Sequence, residues 1–182
     1  MNLEASHKIA YQCLVAWVLV LSALTANAET LNGRVVAISD GDTITVLDAG
    51  KVQHKVRLMG IDAPEKKQPF GNRSKQHLSD LIFDKPVSVE YRKHDRYGRI
   101  IGKVMVAAPD ACPAVEPHCP KSLDTGLALI TVGLAWHYKQ YENEQTKEDR
   151  ERYAFAEEEA RAKRAGLWAD PRPVPPWEWR RK

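Results

Sequence analysis

Cysteine, long apolar segments and net charge are all scarce in this 182-residue sequence. Three cysteines occur without any C-x-x-C pair, which excludes the zinc sites built from such pairs. Outside the N-terminus no apolar run approaches the length of a membrane span. Lys and Arg number 27 against 24 Asp and Glu, and the resulting net charge of +3 is too small to demonstrate an anionic partner. A hydrophobic fraction of 43% excludes a disordered chain, and the length fits one domain.

The N-terminus has the organisation of a secretory leader. Lys8 precedes an apolar run over residues 13–21, and Ala-Asn-Ala follows at 26–28. This small-residue A-x-A pattern is typical of a cleavage site. We therefore predict that residues 1–28 are a cleaved signal peptide and that the protein is secreted or periplasmic, with no stable membrane association after cleavage. A retained membrane anchor is the alternative.

Two cysteines remain after this cleavage, Cys112 and Cys119, in a proline-rich segment at about 108–120. An even pair in an oxidising compartment predicts a disulfide. A bridge across so short a loop would stabilise the fold by about 2 kcal/mol in the chain-entropy view. The alternative is a metal site that also uses His118, but this set offers at most three ligands.

The hydrophobic pattern predicts a small β-barrel with helices. Five segments are rich in β-branched residues and read as short strands: 31–38, 43–47, 52–59, 87–91 and 100–106. Three segments have apolar residues at helical spacing: 71–84, 124–132 and 144–165. The first three strands form a meander, and a helix separates the third strand from the fourth. This order predicts a mainly β, α+β fold, a five-stranded OB-type barrel flanked by about three α-helices.

Charged residues gather at three places on this strand pattern. They are Asp-Gly-Asp-Thr at 40–43, the stretch from Arg to Glu at 57–65, and Asp-Arg-Tyr-Gly-Arg at 95–99. In a meander the start of the second strand and the end of the third lie at one end of the sheet, so Asp42 and Asp62 are expected to converge. Carboxylates and a backbone carbonyl suit Ca²⁺, and two arginines can hold phosphate oxygens. Each motif alone is more typical of an ordinary turn or loop.

Taken together and in this order, the motifs resemble the staphylococcal-nuclease-like (thermonuclease) family, OB-fold phosphodiesterases that use Ca²⁺ to act on DNA and RNA. The resemblance runs from about residue 31 to 168 and includes Gly-Leu-Ala at 133–135 and Ala-Gly-Leu-Trp at 165–168. It implies one Ca²⁺ ion. The implied ligands are the carboxylates of Asp42 and Asp62 and the backbone carbonyl of Ala63.

The same resemblance implies roles for the residues around that ion. Glu65 would act as the general base or orient the attacking water, while Arg57 and Arg99 would bind the scissile phosphate. Asp40 would not bind the metal itself and would instead contact the residues that do. Two aromatic side chains would border the nucleotide pocket, Tyr97 and Tyr141, with Lys139 as a weaker candidate for the second position. Four basic residues beside the site would attract phosphate: Lys66, Lys67, Arg73 and Lys75.

The resemblance therefore predicts a monomeric endonuclease that hydrolyses DNA and RNA and leaves 3′-phosphate ends. The nuclease domain would span residues 29–170, with the cysteine segment as an insertion. A Pro/Trp/basic tail over 171–182 is predicted to be extended, either solvated or stacked on nucleic acid. The alternatives are a catalytically silent OB-fold module that binds nucleic acid or a protein, and a structural calcium-binding domain. All five key positions hold the required residue types, which argues against the silent module.

Three histidines are candidate catalytic groups: His77, His94 and His137. None belongs to a motif with a paired nucleophile, so surface or packing roles are favoured for them.

Overall fold

The computed structural model describes residues 28–109 and 119–181. Its strands in chain order are β1 (Glu29–Ile38), β2 (Thr43–Asp48), β3 (Gln53–Leu58), β4 (Ile61–Asp62), β5 (Pro86–His94), β6 (Ile100–Val106), β7 (Leu123–Asp124) and β8 (Trp136–His137). Five of them, β1, β2, β3, β5 and β6, form the closed barrel, in the order β3-β2-β1-β5-β6 with β3 returning to β6. The predicted OB-type barrel is confirmed.

One parallel pairing closes the barrel. The other four contacts between barrel strands are antiparallel, whereas β3 runs parallel to β6 with Arg57 opposite Ile101. This pairing brings the end of the meander against the strand that follows the 95–99 turn. The closure therefore gathers two of the three charged motifs at one end of the barrel.

Alternating side chains fill the interior. In β6 every second residue from Ile100 to Val106 is buried, and in β2 both Ile44 and Val46 are fully buried. Successive side chains of a strand point to opposite faces, so each strand contributes one apolar row. Full burial of such an aliphatic side chain contributes roughly 1.5–3 kcal/mol.

The helices are α1 (Gly71–Ile82), α2 (Thr125–Thr131), α3 (Lys147–Ala162) and the single-turn α4 (Pro176–Trp179). Asp124 caps α2 by accepting a hydrogen bond from the Leu127 N–H, and Thr146 caps α3 in the same way through the Asp149 N–H. Helix α3 begins later than the predicted 144 because Lys139–Glu144 form a separate 3₁₀ turn. It ends at Ala162, ahead of Arg164, whose φ is positive. In the described part of the chain, no helix combines the length and apolar character needed to cross a membrane.

The tail is the clearest departure from the sequence prediction. It is not extended throughout, since α4 forms over residues 176–179. Pro176 occupies the first helical turn, where its fixed φ and missing N–H cost nothing. Trp177 then packs its ring edge-on against Trp136 with centroids 5.5 Å apart. Both features draw the tail onto the domain instead of leaving it in solvent.

The two glycine-containing motifs, at 133–135 and 165–168, contact each other through their backbones. Gly133 and Gly166 both have positive φ, at 68° and 53°. A Cβ at Gly166 would lie 2.1 Å from the Gly133 carbonyl oxygen, which accepts the Leu167 N–H at 2.8 Å. Only glycine permits this approach. It holds Trp168 against Trp136, with ring centroids 4.3 Å apart.

Several predictions concern residues outside the described part of the chain. These are all of the leader except Ala28, and also Cys112 and His118. Cleavage after Ala28 and a bridge between Cys112 and Cys119 therefore stay predictions.

Candidate active site

The two acidic residues expected to converge do so through one arginine. Asp42 directly precedes β2 and Asp62 ends β4, while Arg57 lies on β3 opposite Thr43. Arg57 donates from Nη1 to Asp42 Oδ1 at 2.8 Å and from Nη2 to Asp62 Oδ1 at 2.7 Å. A single guanidinium thus fixes the spacing of the two carboxylates, as its planar fork allows.

Asp42 is buried and held from several sides. The Ala63 N–H and the Thr43 hydroxyl both donate to its carboxylate at 3.0 Å. Burial raises the pKa of Asp42 to about 7, against the lowering effect of Arg57, and the nearby charges of Asp40 and Asp62 raise it further. Burial and the neighbouring carboxylates thus disfavour the ionised form of Asp42, and a cation bound beside it would favour that form.

We expect the raised pKa of Asp42 to appear as a pH-dependent stability. Between its ordinary value of 3.8 and the folded value of about 7 the folded chain binds more protons, so the free energy of unfolding falls as pH rises. The contribution is roughly 1 kcal/mol per pH unit. In urea unfolding of the metal-free protein between pH 5 and 7, Asp42→Asn should remove this slope. Parallel pH curves for the two proteins would contradict the assignment.

Glu65 lies on the loop between β4 and α1 and is partly buried at the surface of the site. Its N–H donates to Gln68 Oε1 at 3.1 Å. Gly71 permits the close return of this loop, because a Cβ there would lie 2.0 Å from the Glu65 carbonyl oxygen. The loop thereby presents the Glu65 carboxylate beside Asp62.

The third motif forms the tight turn between β5 and β6. Asp95 Oδ1 accepts the N–H groups of Tyr97 and Arg99, and Asp95 Oδ2 accepts Arg99 Nε at 2.7 Å. Within residues 28–109 and 119–181, neither Nη atom of Arg99 donates a hydrogen bond. These two donors are available to an anion such as a phosphate.

A cavity of about 700 Å³ joins the three motifs. Among its lining residues are the following predicted ones: Asp40, Asp42, Arg57, Ala63, Glu65, Tyr97, Arg99 and Tyr141. Asp62 is fully buried directly beneath them. The structure therefore brings the predicted residues to one place, and their individual roles stay predictions.

The cavity also has residues that the sequence analysis did not assign to it, among them Lys93, His94, Arg96, Tyr138 and Arg180. Lys139, the weaker candidate for the pocket, instead lines a separate cavity beside Trp136. Tyr138 is next to it in the chain and faces the active site. The two aromatics of the pocket wall, Tyr138 and Tyr141, lie edge to face with centroids 5.3 Å apart.

The other candidate residues lie away from the acidic pair. His137 is buried, and its Nε2 is 3.0 Å from Gln145 Oε1, which fits a packing role. His77 lies on α1 and does not line the cavity. The four basic residues expected to attract phosphate are also outside its lining, on the 64–70 loop and α1. The basic residues that line the cavity lie instead on β3, β5, the 95–99 turn and the tail.

Arg180 is the most consequential residue that the sequence analysis missed. It donates from Nη2 to Asp62 Oδ2 at 2.7 Å and from Nη1 to Glu65 Oε1 at 2.7 Å. The tail was expected to be solvated or to stack on nucleic acid, and neither alternative predicts this contact. The only signal for this contact in the sequence is the Pro/Trp composition around Arg180, which is typical of a segment that packs against the domain.

The site offers oxygen donors for a hard divalent cation. In the described ranges no three His, Cys, Asp or Glu side chains converge as a metal-binding group. A metal would therefore depend on the carboxylates of Asp42 and Asp62, a backbone carbonyl, and water or substrate oxygens. Such mixed oxygen sets are usual for Ca²⁺. The guanidinium of Arg180 already occupies a cation position against Asp62, which supports the fit.

Comparison with known proteins places the chain among nucleases. The family model described as staphylococcal nuclease homologue matches residues 55–170. An uncharacterized endonuclease of Haemophilus influenzae is 40% identical over 177 residues, covering 97% of this chain and 87% of the relative. A micrococcal nuclease of Shigella flexneri is 39% identical over 172 residues, with 94% and 92% covered. Protein ParB of Escherichia coli is 42% identical over 152 residues, with 84% and 80% covered.

Proposed function

This chain belongs to the staphylococcal nuclease family, and from that membership we propose a calcium-dependent endonuclease that hydrolyses DNA and RNA and leaves 3′-phosphate ends. That it is a nuclease, a hydrolase of phosphodiester bonds, follows from the family. We propose in addition the identity of the metal, the range of substrates, and the end of the cleaved bond that keeps the phosphate. The observation that carries the proposal is the joining of Asp42 and Asp62 by Arg57 at a cavity shared with Glu65 and Arg99.

One Ca²⁺ ion would be held by Asp42, Asp62 and the carbonyl of Ala63, in line with the oxygen donors of the site. When bound, it would neutralise charge on the phosphate being cleaved.

The residues of the chain itself supply the remaining chemistry. Glu65 would accept a proton from the water that attacks phosphorus. Arg57 is already oriented by two carboxylates, and Arg99 by Asp95, so both guanidiniums are fixed before substrate arrives. Preorganised donors of this kind stabilise charge that develops in the transition state. Such charge accumulates on the phosphate oxygens in the pentacovalent transition state.

The pocket beside these groups favours nucleotides without reading a sequence. Tyr97 is largely exposed at the turn, and Tyr138 and Tyr141 line the same cavity. Aromatic rings stack on any base, which makes binding tolerant of sequence. Lys93 and Arg96 line the same cavity and would attract the phosphate backbone.

Cleavage assays with purified protein test this function. Plasmid DNA and total RNA should both be degraded when Ca²⁺ is present, and the cleavage should stop when EGTA is added. The products should resist extension by a polymerase until a phosphatase removes their 3′-phosphates. Tight DNA binding without cleavage at any metal or pH would favour the silent OB-fold module. Products with 5′-phosphates would contradict the proposed side of cleavage.

We also propose that the enzyme works as a monomer outside the cytoplasm, secreted or periplasmic, and without stable membrane association. The support is the leader pattern over residues 1–28. An oxidising compartment would also suit the predicted bridge between Cys112 and Cys119.

A further inference from the structure

The C-terminal strap, residues 171–181, folds back across the active site. Gln68 Nε2 donates to the Val174 carbonyl at 2.5 Å, which ties the strap to the loop that carries Glu65. Trp177 then stacks on Tyr138, with centroids 5.5 Å apart and an interplanar angle of 26°. The strap is thus held at two points, Val174 and Trp177, and Arg180 follows three residues after the second.

Arg180 donates hydrogen bonds to both oxygens of the buried Asp62 carboxylate. Its Nη2 is 2.7 Å from Oδ2 and its Nη1 is 3.2 Å from Oδ1, while the same Nη1 reaches Glu65 at 2.7 Å. Asp62 Oδ1 also accepts Arg57. One guanidinium from the end of the chain therefore engages the residue expected to bind the metal and the residue expected to activate water.

We propose that the strap is an autoinhibitory element whose Arg180 holds Asp62 and Glu65 until a divalent cation displaces it. This inference rests on the proposed function, because it assigns Asp62 to the metal site and Glu65 to the hydrolytic step. Arg57 contacts only Oδ1 of Asp62, whereas Arg180 covers Oδ2, the oxygen left for a divalent ion. The ion and the Arg180 guanidinium repel each other and cannot both lie against that oxygen. Calcium binding and strap closure are therefore competing states of the protein.

The strap is built to be displaced. The Arg180 and Glu65 side chains are 40% and 38% exposed, so water screens the ion pair between them. Trp177 is only partly buried and Glu178 is exposed. Asp62, in contrast, is fully buried and keeps its bond to Arg57 when Arg180 leaves. Release of Arg180 thus frees Oδ2 of Asp62, while the bond between Asp62 and Arg57 stays in place.

Calcium titration calorimetry without nucleic acid tests the inference. A ligand that binds only the open state has its apparent affinity reduced by the fraction of open protein. If the closed strap dominates, Arg180→Ala should tighten Ca²⁺ binding by about tenfold. Arg181→Ala is the matched control, since it removes the same charge from the next position. The Arg181 side chain makes no hydrogen bond or ion pair to residues 28–109 or 119–181, so this variant should bind Ca²⁺ like the unchanged protein.

A second variant, Trp177→Ala, loosens the strap and keeps Arg180, and it should also tighten Ca²⁺ binding, by less than Arg180→Ala. Equal, measurable Ca²⁺ affinity in the unchanged protein and Arg180→Ala would overturn the strap inference and leave the calcium proposal standing. No binding in either protein would overturn both. Loss of hydrolysis by Arg180→Ala at saturating Ca²⁺ would also overturn inhibition, because Arg180 would then be required for turnover.

Discussion

Replacing Glu65 with glutamine should lower kcat for plasmid cleavage by about 1,000-fold, within the range that general bases contribute. Glutamine keeps the size and one oxygen of the side chain but cannot accept a proton from water. The fold should survive, because the Glu65 carboxylate is bonded to Arg180 at the surface of the site rather than to the core. The measurement is initial rate at saturating Ca²⁺ and substrate, with circular dichroism to confirm folding.

Glu144 provides a matched control for this substitution. It lines the same cavity and pairs with Lys93, and among the described residues it makes no hydrogen bond or ion pair with Arg57 or Arg180. Glu144→Gln removes the same charge and should change kcat by no more than about twofold. A Glu65→Gln enzyme that keeps a tenth of the original rate would remove Glu65 from the role of base. Equal losses in both variants would show that cavity charge, and not proton transfer, limits the rate.

The second large effect is expected at Arg57, and it should appear in both activity and stability. Arg57→Ala leaves two buried carboxylates, Asp42 and Asp62, close together without their shared partner. Breaking a buried ion pair by removing one side costs about 3–5 kcal/mol. The loss of one preorganised phosphate donor should lower kcat/KM by a further 100- to 1,000-fold. Urea unfolding with EGTA gives the first quantity, and cleavage rates on protein shown to be folded give the second.

Arg57→Lys separates charge from geometry at the same position. Lysine restores one positive charge but lacks the fork that reaches both carboxylates at once. It should recover much of the stability and little of the activity. Lys55→Ala serves as control, two residues earlier on β3 and exposed, and should shift the free energy of unfolding by less than about 0.5 kcal/mol. Unchanged stability in Arg57→Ala would contradict the view that this arginine neutralises the acidic pair.

The sequence was most informative where structure is local. The convergence of Asp42 and Asp62 follows from a meander, because hairpin-linked strands have one possible order in the sheet, and the observed register places Thr43 opposite Arg57. The α1 boundary was predicted within two residues because its apolar spacing is regular and Pro86 follows. The barrel itself was predicted from the number and order of strands.

Contacts distant in the chain were not predictable in the same way. Nothing in local spacing shows that β3 pairs with β6, which is what brings the 95–99 turn to the acidic pair. The sequence does not assign Tyr138 to the pocket, because side-chain direction in β8 and the following turn depends on tertiary packing. Arg180 lies 118 positions from Asp62, and its contact requires the path of the whole tail.

The parallel pairing of β3 with β6 also sets when the enzyme can become active during its synthesis. The ribosome delivers the N-terminal segments first. A nascent chain that has reached Asp62 already contains Asp42, Arg57 and Asp62, yet it has no closed barrel. The partners of Val56 and Leu58 are Ile100 and Gly102, which emerge some forty residues later. The chain is thus expected to become catalytically active only after β6 has been synthesised. Truncated products that end before β6 would contain Asp42 and Asp62 but would be inactive.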